Sequence, residues 1–203
     1  KTYNENIVID IDFSEPNLIK DKENDLISVE IDDLPNTNSL GEAILPVRPV
    51  KLLLPYSTEV ENIKVVSSGK HMLGSGYDVK AAGYVLPISK INKKIDSNYR
   101  KASSTDSLYT NLGTFNLRGF KIVHINLQPV QYASTSGELF YFENMRITVE
   151  TKKSESNIAF RGLEEDFEII QDIVDNPDMI SSYRAYKKQK SADNYEYIVI
   201  TAN

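Results

Sequence analysis

Few side chains in this sequence could perform covalent chemistry. The 203 residues contain no cysteine and two histidines, His71 and His124. The lack of cysteine excludes a thiol nucleophile, a disulfide scaffold and a cysteine-ligated zinc site within these residues. A catalytic triad needs an imidazole held between a nucleophile and an acid. His124 is expected on the wetter face of its strand, opposite to its apolar neighbours, and His71 lies in a Gly-rich turn region. Neither pattern predicts a triad.

Acidic side chains could form a second kind of site, because their carboxylate oxygens can bind calcium. They occur as Asp10 with Asp12, as Asp32 with Asp33, and as the run from Glu164 to Asp166. None of these groups has the spacing of a dedicated calcium loop. A solvated acidic face is the preferred interpretation. No cofactor is predicted, and calcium binding is kept as an alternative.

Two basic segments remain. The first lies in a long polar stretch between Pro87 and Thr110 that has little apolar periodicity, and stretches of this kind inside compact domains are usually functional or disordered. The second occupies residues 184–190 and precedes a polar segment, 191–194. Proteases cut exposed, extendable segments, but cations at the end of a helix also interact favourably with its dipole. Both interpretations of the second segment can hold together.

The elements that would position these residues are mainly strands up to about Glu150. Period-two alternation of apolar residues predicts a half-buried strand. Turn signals rich in Gly and Ser separate the candidates at 38–41, 67–69, 74–76 and 134–137. Many short strands of this kind predict a mainly β fold, an antiparallel sandwich or barrel. The predicted strands cover 7–13, 27–31, 47–54, 60–66, 77–86, 120–127 and 139–151.

After Lys153 the pattern changes to helical. Asn176 and Pro177 resemble an N-cap and a first-turn proline, and they predict a second helix. The run Tyr195–Thr201 is continuously apolar at its centre, as in a strand covered on both faces of a parallel sheet. We therefore predict a sandwich over 1–153, a helical connector over 154–194 and the first strand of an α/β domain over 195–203. The first helix is predicted from the spacing of Leu163, Phe167, Ile170 and Val174.

Composition excludes some functional classes. There are 29 acidic against 23 basic residues, a net charge of −6, and the pI is about 5.1. A nucleic-acid-binding domain would show a basic face, so none is predicted. No run approaches the 18 or so apolar residues of a transmembrane helix. The polar first residues show no signal peptide, which fits a cytosolic chain and a processed, secreted one equally.

Several separated segments together resemble the propeptide region of gingipain-type cysteine peptidases. Their order and spacing are more specific than any single segment, and the resemblance extends from Gly41 to Asn203. Ala43 departs mildly from the pattern, because proline is usual there. The matching segments are Gly41–Val50, Leu53-Leu54-Pro55, Pro129–Tyr132, Ser136–Leu139, Met145–Val149, Asn176-Pro177 with Ser182-Tyr183, and Tyr195–Thr201.

The resemblance implies a β-sandwich prodomain that assists folding of a secreted or cell-surface peptidase and keeps it inactive until proteolytic processing. The partner would be the cognate peptidase domain of the same precursor. Its catalytic His and Cys would lie downstream of this chain, so the chain would be no enzyme by itself. The alternatives are an extracellular adhesion or carbohydrate-binding sandwich and, with less support, a cytosolic enzyme with an unseen site.

The resemblance also gives candidate site residues. Latency in such peptidases involves a prodomain loop that places a basic side chain in the primary specificity pocket, where an acidic floor would bind Arg or Lys. For any single residue, an ordinary solvated loop remains the simpler interpretation. The inhibitory candidates are Arg100 and Lys101, followed by Lys93 and Lys94. The processing candidates are Arg184, Lys187, Lys188 and Lys190.

Overall fold

The computed structural model describes residues 6–22, 25–82, 102, 104–154 and 160–191, with side chains as far as Lys187. In this part of the chain, strands precede helices. The strands are β1 (Ile7–Asp12), β2 (Asn17–Lys20), β3 (Ile27–Glu30), β4 (Arg48–Leu53), β5 (Thr58–Gly74), β6 (Tyr109–Leu117), β7 (Phe120–Leu127), β8 (Val130–Ala133) and β9 (Glu138–Lys153). The helices are α1 (Glu164–Ile173), a short 3₁₀ turn (Pro177–Met179) and α2 (Ile180–Ser191).

Two antiparallel sheets pack face to face. One has the order β1-β9-β5, with β8 also paired to β9, and the other has the order β4-β7-β6. Leu52 and Ile125 from the second sheet share one buried cluster with Met145 and Ile147 from the first. Burial of alternate residues from two facing sheets defines a β-sandwich. The predicted antiparallel sandwich is therefore confirmed.

The helices cover the outer face of the second sheet. Leu53, Phe120 and Ile122 point away from the sandwich core and form a separate buried cluster with Phe167 and Tyr183. The first half of β7 is therefore covered on both sides, by the sandwich core at Val123 and by the helices at Phe120 and Ile122. The α1–α2 segment, here called the helix layer, is thus a third layer of the fold.

The outer edge of β4 is closed by the loop between α1 and α2. Asp175 accepts a hydrogen bond at Oδ2 from the Lys51 N–H (2.7 Å), and its own N–H donates to the Lys51 carbonyl (2.9 Å). Asn176 accepts from the Leu53 N–H (2.7 Å) and donates to the Leu53 carbonyl (2.9 Å). Asn176 lies at the N-cap position with Pro177 at the start of the turn, as predicted. Its side chain makes no cap hydrogen bond, because it is used at Leu53 instead.

Two local strand predictions are wrong. The described part of the predicted strand 77–86 forms only isolated bridges, at Val79 and Ala81. The backbone hydrogen bonds of residues 78–82 are divided between Ile27 of β3 and the loop at 41–44. The predicted turn at 67–69 lies inside β5, which continues to Gly74. Gly69 makes this possible with a φ of +63°, and the Glu143 side chain occupies the space that a Cβ would need.

Candidate functional site

The basic residues predicted from the sequence fall into two groups. Arg184 and Lys187 lie on α2 with their side chains described, and Lys188 and Lys190 belong to the same helix. The inhibitory candidates Arg100, Lys101, Lys93 and Lys94 lie outside the described residues. The candidate site that can be built from contacts is therefore the basic face of α2.

Tyr183 anchors α2 on the sheet. Its side chain is 1% exposed, and its ring lies 4.6 Å from that of Phe120, centroid to centroid. The Tyr183 hydroxyl accepts a hydrogen bond from the Lys121 N–H at 3.1 Å. Burial raises the pKa of Tyr183 to about 12. The apolar side of α2 is thus fixed against β7, and the opposite side is left for charged residues.

We expect the helix layer to be lost in alkali. The pKa of Tyr183 rises from an ordinary 10.0 to about 12 on folding, so the folded state favours the neutral phenol. Its contribution to stability is complete below pH 10 and disappears as the pH rises towards about 12. Circular dichroism over this pH range should show loss of helix. The Tyr183→Phe variant should show a shallower loss, and an equally steep one would contradict the assignment to Tyr183.

The basic side of α2 contacts the first turn of α1. Lys187 Nζ lies 2.9 Å from Glu164 Oε1, and Arg184 Nη2 lies 3.5 Å from Glu164 Oε2. The Arg184 guanidinium also lies over the Phe167 ring, 4.9 Å from its centroid. The hydrogen bond from Lys187 lowers the pKa of Glu164 below its ordinary value, and the charge of Arg184 adds to the effect. Both described processing candidates are therefore engaged by α1.

A buried ionic group fixes α1 to the sandwich. The Asp166 side chain is 1% exposed and accepts hydrogen bonds from Arg118 Nη1 (2.7 Å) and Arg161 Nη2 (2.8 Å). The Arg118 hydrogen bond is the main cause that lowers the pKa of Asp166, and Arg161 acts in the same direction. Arg118 lies in the turn between β6 and β7. Asp166, which the sequence predicts only as a first-turn acid of α1, therefore also binds the helix to the sandwich. Local sequence patterns do not reveal this contact.

Three of the acidic residues considered as calcium ligands are paired with cations instead. Asp10 binds Arg146 (2.7 Å), and Glu164 and Asp166 bind the basic residues named above. Within the described ranges, no three His, Cys, Asp or Glu side chains converge as metal ligands would.

The two histidines lie on strands. His71 is on β5, not in a turn as predicted; its Nε2 lies 3.0 Å from Glu143 Oε1, and its ring stacks on Tyr141. His124 faces away from the sandwich core and its ring lies 4.7 Å from that of Phe115. Burial, and then the charge of Lys51, lower the pKa of His124.

A polar cavity of about 590 Å³ opens near the start of β6. Backbone and side chains from the 36–42 loop, from residues 104–107 and from β6 and β7 line it. Glu42 and Asp106 bring carboxylates to its wall, and Thr110 and Leu112 bring β6 to its rim. The cavity therefore lies where the loops at one end of the sandwich meet β6 and β7.

In the part of the chain that the structure describes, no helix is long and apolar enough to cross a membrane. No protein-family model matches the sequence, and no curated protein matches it.

Two solved structures from Porphyromonas gingivalis have a similar fold. A chain from the complex of the RgpB pro- and mature domains is 13% identical, with a TM-score of 0.61, and the match covers 85% of this chain and 93% of that one. A structure that addresses the zymogenic latency of gingipain K is 18% identical, with a TM-score of 0.55, and the match covers 75% and 90% of the two chains. The chain therefore has the fold of a gingipain-type prodomain.

Proposed function

We propose that this chain is the propeptide of a secreted, gingipain-like cysteine peptidase. It would assist folding of the peptidase domain, hold it inactive and be removed by proteolysis, without catalytic activity of its own. The observation that supports the proposal is the prodomain-type fold over 85% of the chain, matched to a structure of pro- and mature domains in complex. The order of family-like segments in the sequence supports it independently.

Inhibition in trans tests this function directly. The purified chain should suppress proteolysis by the separately produced peptidase domain of the same precursor, in proportion to its concentration. Refolding the denatured peptidase domain with and without the chain tests the folding role. Full proteolytic activity at a large excess of the chain, with no gain in refolding yield, would contradict the proposal.

Processing within the basic segment is part of the proposal. A protease cleft binds its substrate as an extended backbone, whereas the Arg184–Lys190 segment is helical. Glu164 and Phe167 hold the side chains of Arg184 and Lys187 against α1. Cleavage after these two residues therefore requires local unwinding of α2, and the contacts with α1 oppose it.

The Glu164→Gln variant should be cleaved faster after Arg184 and Lys187. It removes the ion pairs with both basic residues, and exposed pairs of this kind contribute little enough that we expect an acceleration of about two- to fivefold. Limited trypsin digestion followed by mass spectrometry of the new termini would measure the rate at each position.

Glu165→Gln provides the matched control. It removes the same charge from the same helical turn, on an exposed side chain, and so has a similar effect on the helix dipole. If both variants were cleaved at equal rates, the contact between Glu164 and α2 would not protect the segment.

A further inference from the structure

Most strand edges of the two sheets are protected against pairing with another chain. Open edges present unpaired N–H and C=O groups, and proteins usually protect them with charges, proline or a covering loop. The outer strands β1 and β5 contain charged residues, among them Asp10 and Lys64. The loop at Asp175 and Asn176 closes β4, and backbone hydrogen bonds from Thr105 close β8.

The strand β6 shows none of these protections among the described residues. Its nine residues, Tyr109–Leu117, include no charged residue and no proline, although 26% of the whole chain is charged. Three large apolar side chains on it are exposed: Leu112 by 48%, Phe115 by 51% and Leu117 by 39%. Within the residues that the structure describes, the outer edge of β6 carries no charge and has no covering segment. An edge of this composition is suited to receive an added strand.

The hydrogen-bond pattern identifies the open backbone groups. Asn116 lies opposite Lys121 in the register of β6 and β7. The Lys121 N–H donates a hydrogen bond to the Tyr183 hydroxyl, and the Lys121 carbonyl accepts one from the Leu54 N–H. Neither group therefore binds Asn116. Paired and unpaired positions alternate in an antiparallel ladder, and Thr114, two residues earlier, shares this orientation. The N–H and C=O groups of Thr114 and Asn116 therefore face outward.

We propose that Gly113–Leu117 of β6 binds an extended, uncharged segment of the cognate peptidase domain as an additional antiparallel or parallel strand. This inference rests on the proposed propeptide function and adds a second contact to the one expected from the basic candidates. The bulge between Asn111 and Gly113 interrupts the edge, so the added strand pairs on the Leu117 side of it.

The position of β6 favours the peptidase domain as the partner. The segment 83–101, which includes Arg100 and Lys101, follows Ala82 and precedes Ala102. The backbone N–H of Ala82 donates to Glu42, and Glu42 and Ser104 line the cavity whose rim includes Leu112 of β6. Both ends of the segment that would enter the peptidase therefore lie near the part of β6 around Leu112.

Charge disfavours a second copy of the chain as the partner. Each copy has a net charge of −6, and Glu42 and Asp106 add carboxylates near this end of β6. Pairing of two identical edges would bring like charges together, which opposes association. An uncharged segment of a different protein would not add carboxylates of its own beside this edge.

The Asn116→Pro variant tests the added strand. Proline removes the outward N–H without removing a bond to β7, a substitution that edge strands tolerate. Binding to the peptidase domain, with its catalytic residue replaced, should weaken about tenfold, as expected when one or two backbone hydrogen bonds are lost. Asn116→Thr keeps the N–H and should bind like the unaltered chain. Thr114→Lys, which places a charge at the edge, should also weaken binding.

Hydrogen exchange in the complex provides the second measurement. The amides of Thr114 and Asn116 should become protected when the peptidase domain is added, and the unbound variants should keep the circular dichroism of the unaltered chain. Unchanged affinity of Asn116→Pro and Thr114→Lys would overturn the inference while leaving the proposed function intact. Protection that grows with the concentration of the chain alone would identify a second copy as the partner and overturn it as well. Failure of the unaltered chain to bind the peptidase domain would overturn both proposals.

Discussion

Replacing Phe167 by alanine should destabilise the helix layer by about 3–5 kcal/mol, the usual cost of removing a buried phenylalanine ring. Phe167 is fully buried, and its ring meets those of Phe120 at 5.5 Å and Phe160 at 5.8 Å in edge-to-face contacts. It also supports the Arg184 guanidinium. Urea denaturation followed by circular dichroism would measure the loss of stability.

Phe115→Ala is the appropriate control, because this ring is 51% exposed on β6 and its removal leaves little cavity. The Phe167 variant should in addition be cleaved faster after Arg184 and Lys187, since α2 loses the surface on which both side chains rest. Equal destabilisation by the two substitutions would show that the helix layer contributes little to the stability of the fold.

Replacing Arg100 and Lys101 together by alanine should weaken inhibition of the separated peptidase domain on the order of a hundredfold. The proposed reason is the loss of a charge-assisted hydrogen bond inside the specificity pocket, where an unpaired pocket acid would remain. The measurement is the inhibition constant of each variant with a chromogenic peptide substrate.

The paired variant Lys93→Ala/Lys94→Ala serves as the control for charge removal in the same segment. It should change the inhibition constant by much less. The opposite ranking would move the inhibitory contact to Lys93 or Lys94, and unchanged inhibition by both variants would exclude all four residues as inhibitory contacts.

Strands and helices with a buried apolar face could be predicted from the sequence. The prediction for 120–127 coincides with β7, and the spacing of Phe167 and Ile170 identified α1. The strand β6 was not predicted, because Leu112, Phe115 and Leu117 are exposed and show no alternation with buried residues. Its position depends on hydrogen bonds to β7, which period-two patterning does not reveal.

The contacts that fix α1 and the α1–α2 loop to the sandwich were also beyond sequence reasoning. Asp166 binds Arg118, 48 residues away in the chain, and no local spacing connects them. Asn176 was assigned to helix capping on local grounds, whereas the fold uses its side chain 123 residues away, at Leu53. By contrast, the prodomain-type fold could be predicted from the order of several family-like segments, although the overall identity to the two solved structures is only 13–18%.

The closed edge of β4 makes solubility depend on the helix layer. Asp175 and Asn176 satisfy the backbone of Lys51 and Leu53 only while α1 and α2 stay docked. If a protease or a denaturant detached the helices, the β4-β7-β6 sheet would have two unprotected edges and an uncovered apolar face, a combination that leads to edge-to-edge aggregation. Loss of the helix layer would thus expose the second sheet to aggregation.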